Sequence, residues 1–185
     1  RIACFDAAGG AEVWAVDAAG RFGTKYHFWG IAESPLVVGD LVICTPCGTE
    51  ATFVAFEKKT GRTAWASRGL GEVSGYCSPV DLAVNGRRLF VTMLNQSIAG
   101  VDAATGEILW RVLYADYQRS PHGINPNSPV CADGSFYTSS GYECGGARHQ
   151  ISADGASVTR LWADRVLDSH HGGAVLVDGY LYGSN

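Results

Sequence analysis

This sequence is poor in charge. Asp, Glu, Lys and Arg make up 17% of its 185 residues, and the net charge is −4. No run of Lys and Arg provides an electrostatic footprint for nucleic acid, which excludes that class of partner. No apolar stretch is long enough to span a bilayer as a helix. Helical periodicity is missing throughout, so the expected fold class is all-β. The chain begins at Arg1 without an initiator methionine or a basic-then-apolar leader, and we expect it to be a piece of a longer product. The six cysteines (Cys4, Cys44, Cys47, Cys77, Cys131, Cys144) are too few for a disulfide framework, although fifteen complete pairings are open to them. Cys4 and Cys131 fall within predicted strands and are expected to be buried.

Glycine, by contrast, is abundant at 24 residues and is scattered through short turns, the pattern of many strands joined tightly. A longer regularity overlies it. Trp14, Trp65, Trp110 and Trp162 stand 51, 45 and 52 residues apart, and each closes a version of one phrase. Ile98-Ala-Gly-Val-Asp-Ala-Ala-Thr-Gly-Glu-Ile-Leu-Trp110 and Ile2-Ala-Cys-Phe-Asp-Ala-Ala-Gly-Gly-Ala-Glu-Val-Trp14 agree at seven of thirteen positions. Self-similarity at such a period marks a repeat architecture.

The repeat unit divides into two hairpins. Upstream of each tryptophan comes a phrase such as Ser34-Pro-Leu-Val-Val-Gly-Asp-Leu-Val-Ile43, followed by versions at Ser78-Pro79 and Ser128-Pro129. Its turn pairs, Gly39-Asp40, Asn85-Gly86 and Asp133-Gly134, supply the residues that two-residue hairpin turns need. The tryptophan phrase is the second hairpin. At one position of its frame stand Asp6, Asp102 and Asp154, with Glu57 as counterpart, where an acidic side chain can accept hydrogen bonds from turn amides. Four strands per unit, A to D, predict the blade of a β-propeller. Residues 34–65, 78–110 and 128–162 form whole blades, 1–14 the end of an earlier one and 173–185 the start of a later one. We expect one partial propeller domain over 1–185, about four blades' worth of a seven- or eight-bladed ring.

The pattern Ala-x-Asp-x-x-Thr-Gly-x-x-x-Trp, carried best by Thr105-Gly106-Glu-Ile-Leu-Trp110 and Thr60-Gly61-Arg-Thr-Ala-Trp65, resembles the tryptophan-docking repeat of the pyrroloquinoline-quinone (PQQ) propeller superfamily. The resemblance implies that Trp14, Trp65, Trp110 and Trp162 are structural, each packing against an adjoining blade. Trp29-Gly-Ile-Ala-Glu-Ser-Pro35 and His170-His-Gly-Gly173 resemble the secreted bacterial PQQ-like, polyvinyl-alcohol-dehydrogenase-like branch. The superfamily spans PQQ- and calcium-dependent alcohol and sugar dehydrogenases and cofactor-free members, among them a propeller lipoprotein that helps assemble outer-membrane barrels. The adjacent-cysteine pair that lies over the quinone in many of the dehydrogenases is not in this sequence.

Positions that recur from blade to blade belong to the frame, which leaves the variable polar residues for function. In a propeller the D-to-A and B-to-C loops share the face around the axial funnel. The ends of the D-to-A loops hold His27, Trp29 and Glu33, then Tyr76, then His122 and Asn125, then His170 and His171. These are the expected ligand-binding residues, with aromatic surfaces for stacking and imidazoles that donate or accept. Glu33 is the one candidate catalytic base, and no metal ligand set is assigned. The expected function is an exported, periplasmic or cell-surface binding module that takes a small molecule or protein at its funnel face. The alternative is a segment of a PQQ-dependent dehydrogenase, which would require PQQ and calcium.

Overall fold

The two-residue turns dictate the hairpins. In the computed structural model, which describes residues 1–26, 28–114 and 123–185, Asn85-Gly86, Asp133-Gly134 and Asp178-Gly179 all have positive φ at both positions. This geometry matches the twist of the strands it joins. At Gly39-Asp40 only the glycine is left-handed, at φ 58°.

Among the described residues, sixteen strands and one short helix result. β1 (Ile2–Phe5) pairs with β2 (Glu12–Val16) as a two-stranded sheet, and α1 (Ala18–Phe22) follows. The first four-stranded sheet is β3 (Leu36–Val38), β4 (Leu41–Cys44), β5 (Val54–Glu57) and β6 (Thr63–Ala66). The second is β7 (Val80–Val84), β8 (Arg87–Met93), β9 (Ser97–Asp102) and β10 (Ile108–Leu113). The third is β11 (Val130–Ala132), β12 (Ser135–Ser139), β13 (Gly146–Ile151) and β14 (Val158–Asp164), and β15 (Val175–Val177) with β16 (Tyr180–Tyr182) completes the order. Every pairing between these strands is antiparallel, and each sheet runs in sequence order. The architecture is that of propeller blades, and the described sheets do not close a ring.

One short helix accompanies the strands of this all-β fold. Asp17 caps it by accepting from the Gly20 amide at 2.9 Å, and Gly23 ends it at φ 68°. Five residues are too few to leave a helical period in the sequence.

The core lies between sheets. Phe53, Ala55, Phe90 and Val101 fill the space between the first and second whole blades. Leu82, Val91, Ile98 and Phe136 fill that between the second and third. Phe22, Val54 and Phe56 pack toward β1–β2. Middle strands are covered on both faces, so β8 and β9 read as near-continuous buried runs rather than alternating ones.

The tryptophans seat through a device that the sequence does not display. The strand register slips just before each of them. Trp65 pairs with Ala55 and Thr63 with Phe56, leaving Ala64 as the extra residue. Val13, Leu109 and Leu161 hold the same place before Trp14, Trp110 and Trp162. Such a bulge re-aims the side chain that follows it. The Trp14 indole donates to the Lys58 carbonyl at 2.9 Å, and that of Trp65 to Ala103 at 3.1 Å, each in the next sheet. Their rings lie where a Cβ on Gly61 or Gly106 would sit. Trp110 stacks on Phe136 at 5.6 Å, but its N–H is buried without a partner. The third blade lacks the Thr-Gly turn that would receive it. Trp162 remains 41% exposed and tilts against Tyr137.

Frame acids hold the turns. Asp6 accepts from the Gly9 amide at 2.6 Å, Asp102 from Ala104 at 3.0 Å and Thr105 at 3.1 Å, and Asp154 from Ala156 at 3.0 Å. Glu57 instead engages the Thr60 hydroxyl and Arg62. The Ser-Pro serines link blades: the Ser34 amide donates to the Ser78 hydroxyl at 2.8 Å, and the Ser78 amide to that of Ser128 at 3.0 Å.

All six cysteines are free thiols. Cys4 and Cys131 are half-buried rather than buried, a correction that follows from their places on β1 and β11, the terminal strands of their sheets. Burial pushes the Cys77 thiol up to about 11 and raises Cys44 and Cys47 as well, so all three are protonated at neutral pH.

Candidate functional site

The loops that enter the first strand of each blade bring Trp29, Tyr76, His170 and His171 to one pocket of about 420 Å³. Ile124, Pro126 and Ala32 add apolar surface, and Tyr142 enters from the loop between β12 and β13. Trp29 meets Tyr76 edge-on with centroids 6.5 Å apart, and Phe28 meets Trp29 at 5.1 Å. The Trp29 amide points to the Tyr76 hydroxyl at 3.4 Å.

At the other end of the pocket, Tyr142 and His170 lie edge to face at 4.3 Å, with the tyrosine oxygen 3.1 Å from His170 Nε2. The His171 ring is 4.0 Å from that of His170. Burial lowers the His170 pKa, and the neighbouring His171 adds to this, so His170 is neutral at pH 7. A neutral imidazole can both donate and accept.

Two of the aromatic walls are held in a conformation that bulky residues avoid. Tyr76 has φ 79° and Tyr142 φ 57°. The surrounding hydrogen bonds over-determine both. Tyr76 sits in a bridge to Asn125, and the Tyr142–Glu143 turn is tied to Asp168, whose carboxylate accepts from the Glu143 amide at 2.7 Å and the Gly145 amide at 2.9 Å. Backbone strain of this kind costs about 1–3 kcal/mol per residue and clusters at ligand sites.

Other expected residues lie elsewhere. Asn125 is fully buried, not on the pocket wall. Its amide donates to the Leu94 carbonyl at 2.8 Å and to the Tyr114 hydroxyl, and its oxygen accepts from Ser140. It ties loops together from its place between Ile124 and Pro126 in the sequence. Glu33 faces a different cleft, of about 370 Å³, with Tyr26, Ile31 and Cys44. Its carboxylate accepts from the Thr45 amide at 2.7 Å and from the Thr45 hydroxyl. Burial outweighs those bonds and pushes its pKa up to about 7. Glu33 thus anchors a loop within its own blade and does not reach the aromatic pocket. His27 and His122 lie outside the described residues.

Sequence reasoning missed Tyr142 and two further loop anchors. Glu72 accepts from the Gln96 amide at 2.9 Å, from the Ser97 hydroxyl and from Arg111 at 2.6 Å. With Glu33 and Asp168 it makes a set: an acid from the loop after a D strand clamps a B-to-C loop. The Ser-Gly-Tyr-Glu-Cys-Gly-Gly run at 140–146, richer in glycine than the equivalent loops at 45–53 and 94–96, was the available signal for Tyr142.

No curated protein matches the chain. Among solved structures, BamB from Moraxella catarrhalis superposes with a TM-score of 0.56 at 18% identity, over 94% of this chain and 46% of that one. Quinohemoprotein alcohol dehydrogenase from Comamonas testosteroni superposes with a TM-score of 0.50 at 16% identity, over 75% of this chain and 21% of that one. At these identities the likeness shows the fold, and the chain spans less than half the length of either protein. A family model described as outer membrane protein assembly factor BamB matches residues 1–185, from the first described strand to the last, and the chain belongs to that family.

Proposed function

We propose that this chain is part of an exported propeller of the cell envelope that binds a partner protein through the pocket lined by Trp29, Tyr76, Tyr142 and His170. The observation that carries this reading is the convergence of five separate loops on one preformed aromatic pocket. A scaffold alone has no need to hold two tyrosines at positive φ there. Family membership favours a protein partner, since the matching family is described as an assembly factor. No helix among the described residues is long and apolar enough to cross a membrane. The remaining blades of the ring complete the surface.

A quinoprotein dehydrogenase is the second reading, supported by the fold shared with the Comamonas enzyme. The residues present do not fit it. PQQ carries several carboxylates, yet the described pocket lining has no Lys or Arg, and no carboxylate for calcium. Among the described residues no three His, Cys, Asp or Glu side chains gather to hold a metal ion. Glu33, the candidate base, lies on another cleft.

Site-specific photocrosslinking separates the readings. A photoreactive residue at position 29, in the cells that make the protein, is expected to capture an envelope protein identifiable by mass spectrometry. The same residue at Val13, exposed on β2, serves as control. Capture at Val13 and not at 29 overturns the pocket's role. Quinoprotein absorbance on adding PQQ and calcium to the full-length protein favours the dehydrogenase.

A further inference from the structure

The structure assigns Asn85 as a deamidation site whose conversion releases a lock between the second and third whole blades. The tryptophan pattern breaks at this contact. The Gly61, Gly106 and Gly155 amides return to the Glu57, Asp102 and Ser152 carbonyls at 2.9, 2.9 and 2.8 Å, so Lys58, Ala103 and Ala153 hold one place in three turns. The Lys58 and Ala103 carbonyls accept from Trp14 and Trp65. The Ala153 carbonyl accepts instead from the Asn85 side-chain amide at 3.0 Å, while the Trp110 N–H is buried without a partner. Arg87, which follows the same turn, donates to the Asp154 carbonyl at 2.9 Å. One primary amide thus makes a link that an indole makes elsewhere.

That amide belongs to the one Asn-Gly pair in the sequence, and asparagine is among the thermolabile residues. Both residues are exposed, and no atom of another segment lies within 4 Å of where a Gly86 Cβ would stand. The Gly86 nitrogen, with no side chain beside it, attacks Asn85 Cγ and gives up its proton. The Cγ–Nδ2 bond breaks and Nδ2 leaves as ammonia. Water then opens the cyclic imide to aspartate or isoaspartate. A carboxylate has no proton to donate to the Ala153 carbonyl, so the blade contact loses this bond while the core keeps its residues.

The full chain, aged in mildly alkaline buffer and mapped by mass spectrometry, tests the first half. Asn85 should convert at least about tenfold faster than Asn95 or Asn127. Hydrogen exchange reads the second half. Amides of the 152–157 turn should exchange about fivefold faster in the aged protein and in Asn85→Asp, while those of the 57–61 turn stay unchanged. Asn85→Gly keeps a turn that accepts positive φ, has no side-chain amide, and should show the fast exchange without ageing. Conversion of Asn85 no faster than that of Asn95 overturns the assignment. So does unchanged exchange at 152–157 in Asn85→Gly or Asn85→Asp, or a rise that the 57–61 turn shares.

Discussion

Gly106→Ala is expected to destabilise the fold by about 3 kcal/mol, whereas Gly10→Ala, at the same place in the repeat, should cost about 1 kcal/mol. Both glycines have positive φ, 78° and 70°, so both substitutions carry the backbone penalty of a left-handed L-residue. They differ in what a Cβ meets. At Gly106 it would lie 2.5 Å from Trp65 Cε3, while at Gly10 nothing lies within 4 Å. Accommodating the methyl means moving the Trp65 ring off its seat and stretching its 3.1 Å bond to the Ala103 carbonyl. Overpacking of this sort adds about 1–3 kcal/mol. Urea melts of the two variants measure the difference. Equal losses would mean that the glycine serves the turn alone and not the tryptophan of the neighbouring blade.

Glu33→Gln should raise stability at pH 8 by about 1–2 kcal/mol and leave it unchanged near pH 4.5. Burial raises the folded Glu33 pKa from 4.5 to about 7. The folded protein therefore holds a proton that the unfolded chain releases above pH 4.5. Its contribution to stability is full below that pH and is lost as the pH rises through 7. Glutamine keeps a carbonyl for the Thr45 amide and never ionises. Glu33 is half-buried, and water screens part of the effect, hence the modest figure. His149 works in the opposite direction. It is fully buried on β13 against Phe136, with centroids 4.9 Å apart, and burial lowers its pKa from 6.5 to about 4. Its contribution is complete above pH 6.5 and is lost as the pH falls toward 4. The two groups offset each other between about pH 4.5 and 6.5. In Glu33→Gln the opposing contribution of the carboxyl group is gone, so stability should climb by about 2 kcal/mol over that window. Urea melts at pH 4.5, 6.5 and 8 resolve these slopes, and parallel profiles for the variant and the parent would show that Glu33 is ionised in the fold.

The fold was legible because its determinants are local and repeated. Turn pairs such as Asn85-Gly86 announce hairpins, and a tryptophan every 45 to 52 residues announces the unit. What stayed hidden depends on neighbours. The register slip before each tryptophan involves ordinary residues (Val13, Ala64, Leu109, Leu161) that nothing in composition sets apart. The link from the Ser34 amide to the Ser78 hydroxyl joins separate blades, so the recurrent Ser-Pro shows a repeat but not a contact.

The site was legible by topology and blurred by detail. Loops that feed inner strands lead to one face, so Trp29, Tyr76, His170 and His171 could be grouped without coordinates. Within such a loop, one residue's direction turns on a single hydrogen bond. Asn125 points into Leu94 and Ser140 while its neighbours Ile124 and Pro126 reach the pocket. Glu33 turns to Thr45 in the same way. Tyr142 escaped notice because no other blade has a counterpart against which it would stand out.

The central division is between Trp14, Trp65 and Trp110, which seat on the next blade, and Trp29, which lines the proposed binding pocket. Urea melts of Trp65→Ala and Trp29→Ala, run side by side, test it most directly. Trp65 seats on the next blade, and its truncation should cost about 3 kcal/mol or more. Trp29 is 60% exposed, and its truncation should cost less than about 0.5 kcal/mol. A large loss from Trp29→Ala, with little from Trp65→Ala, would contradict that division of roles.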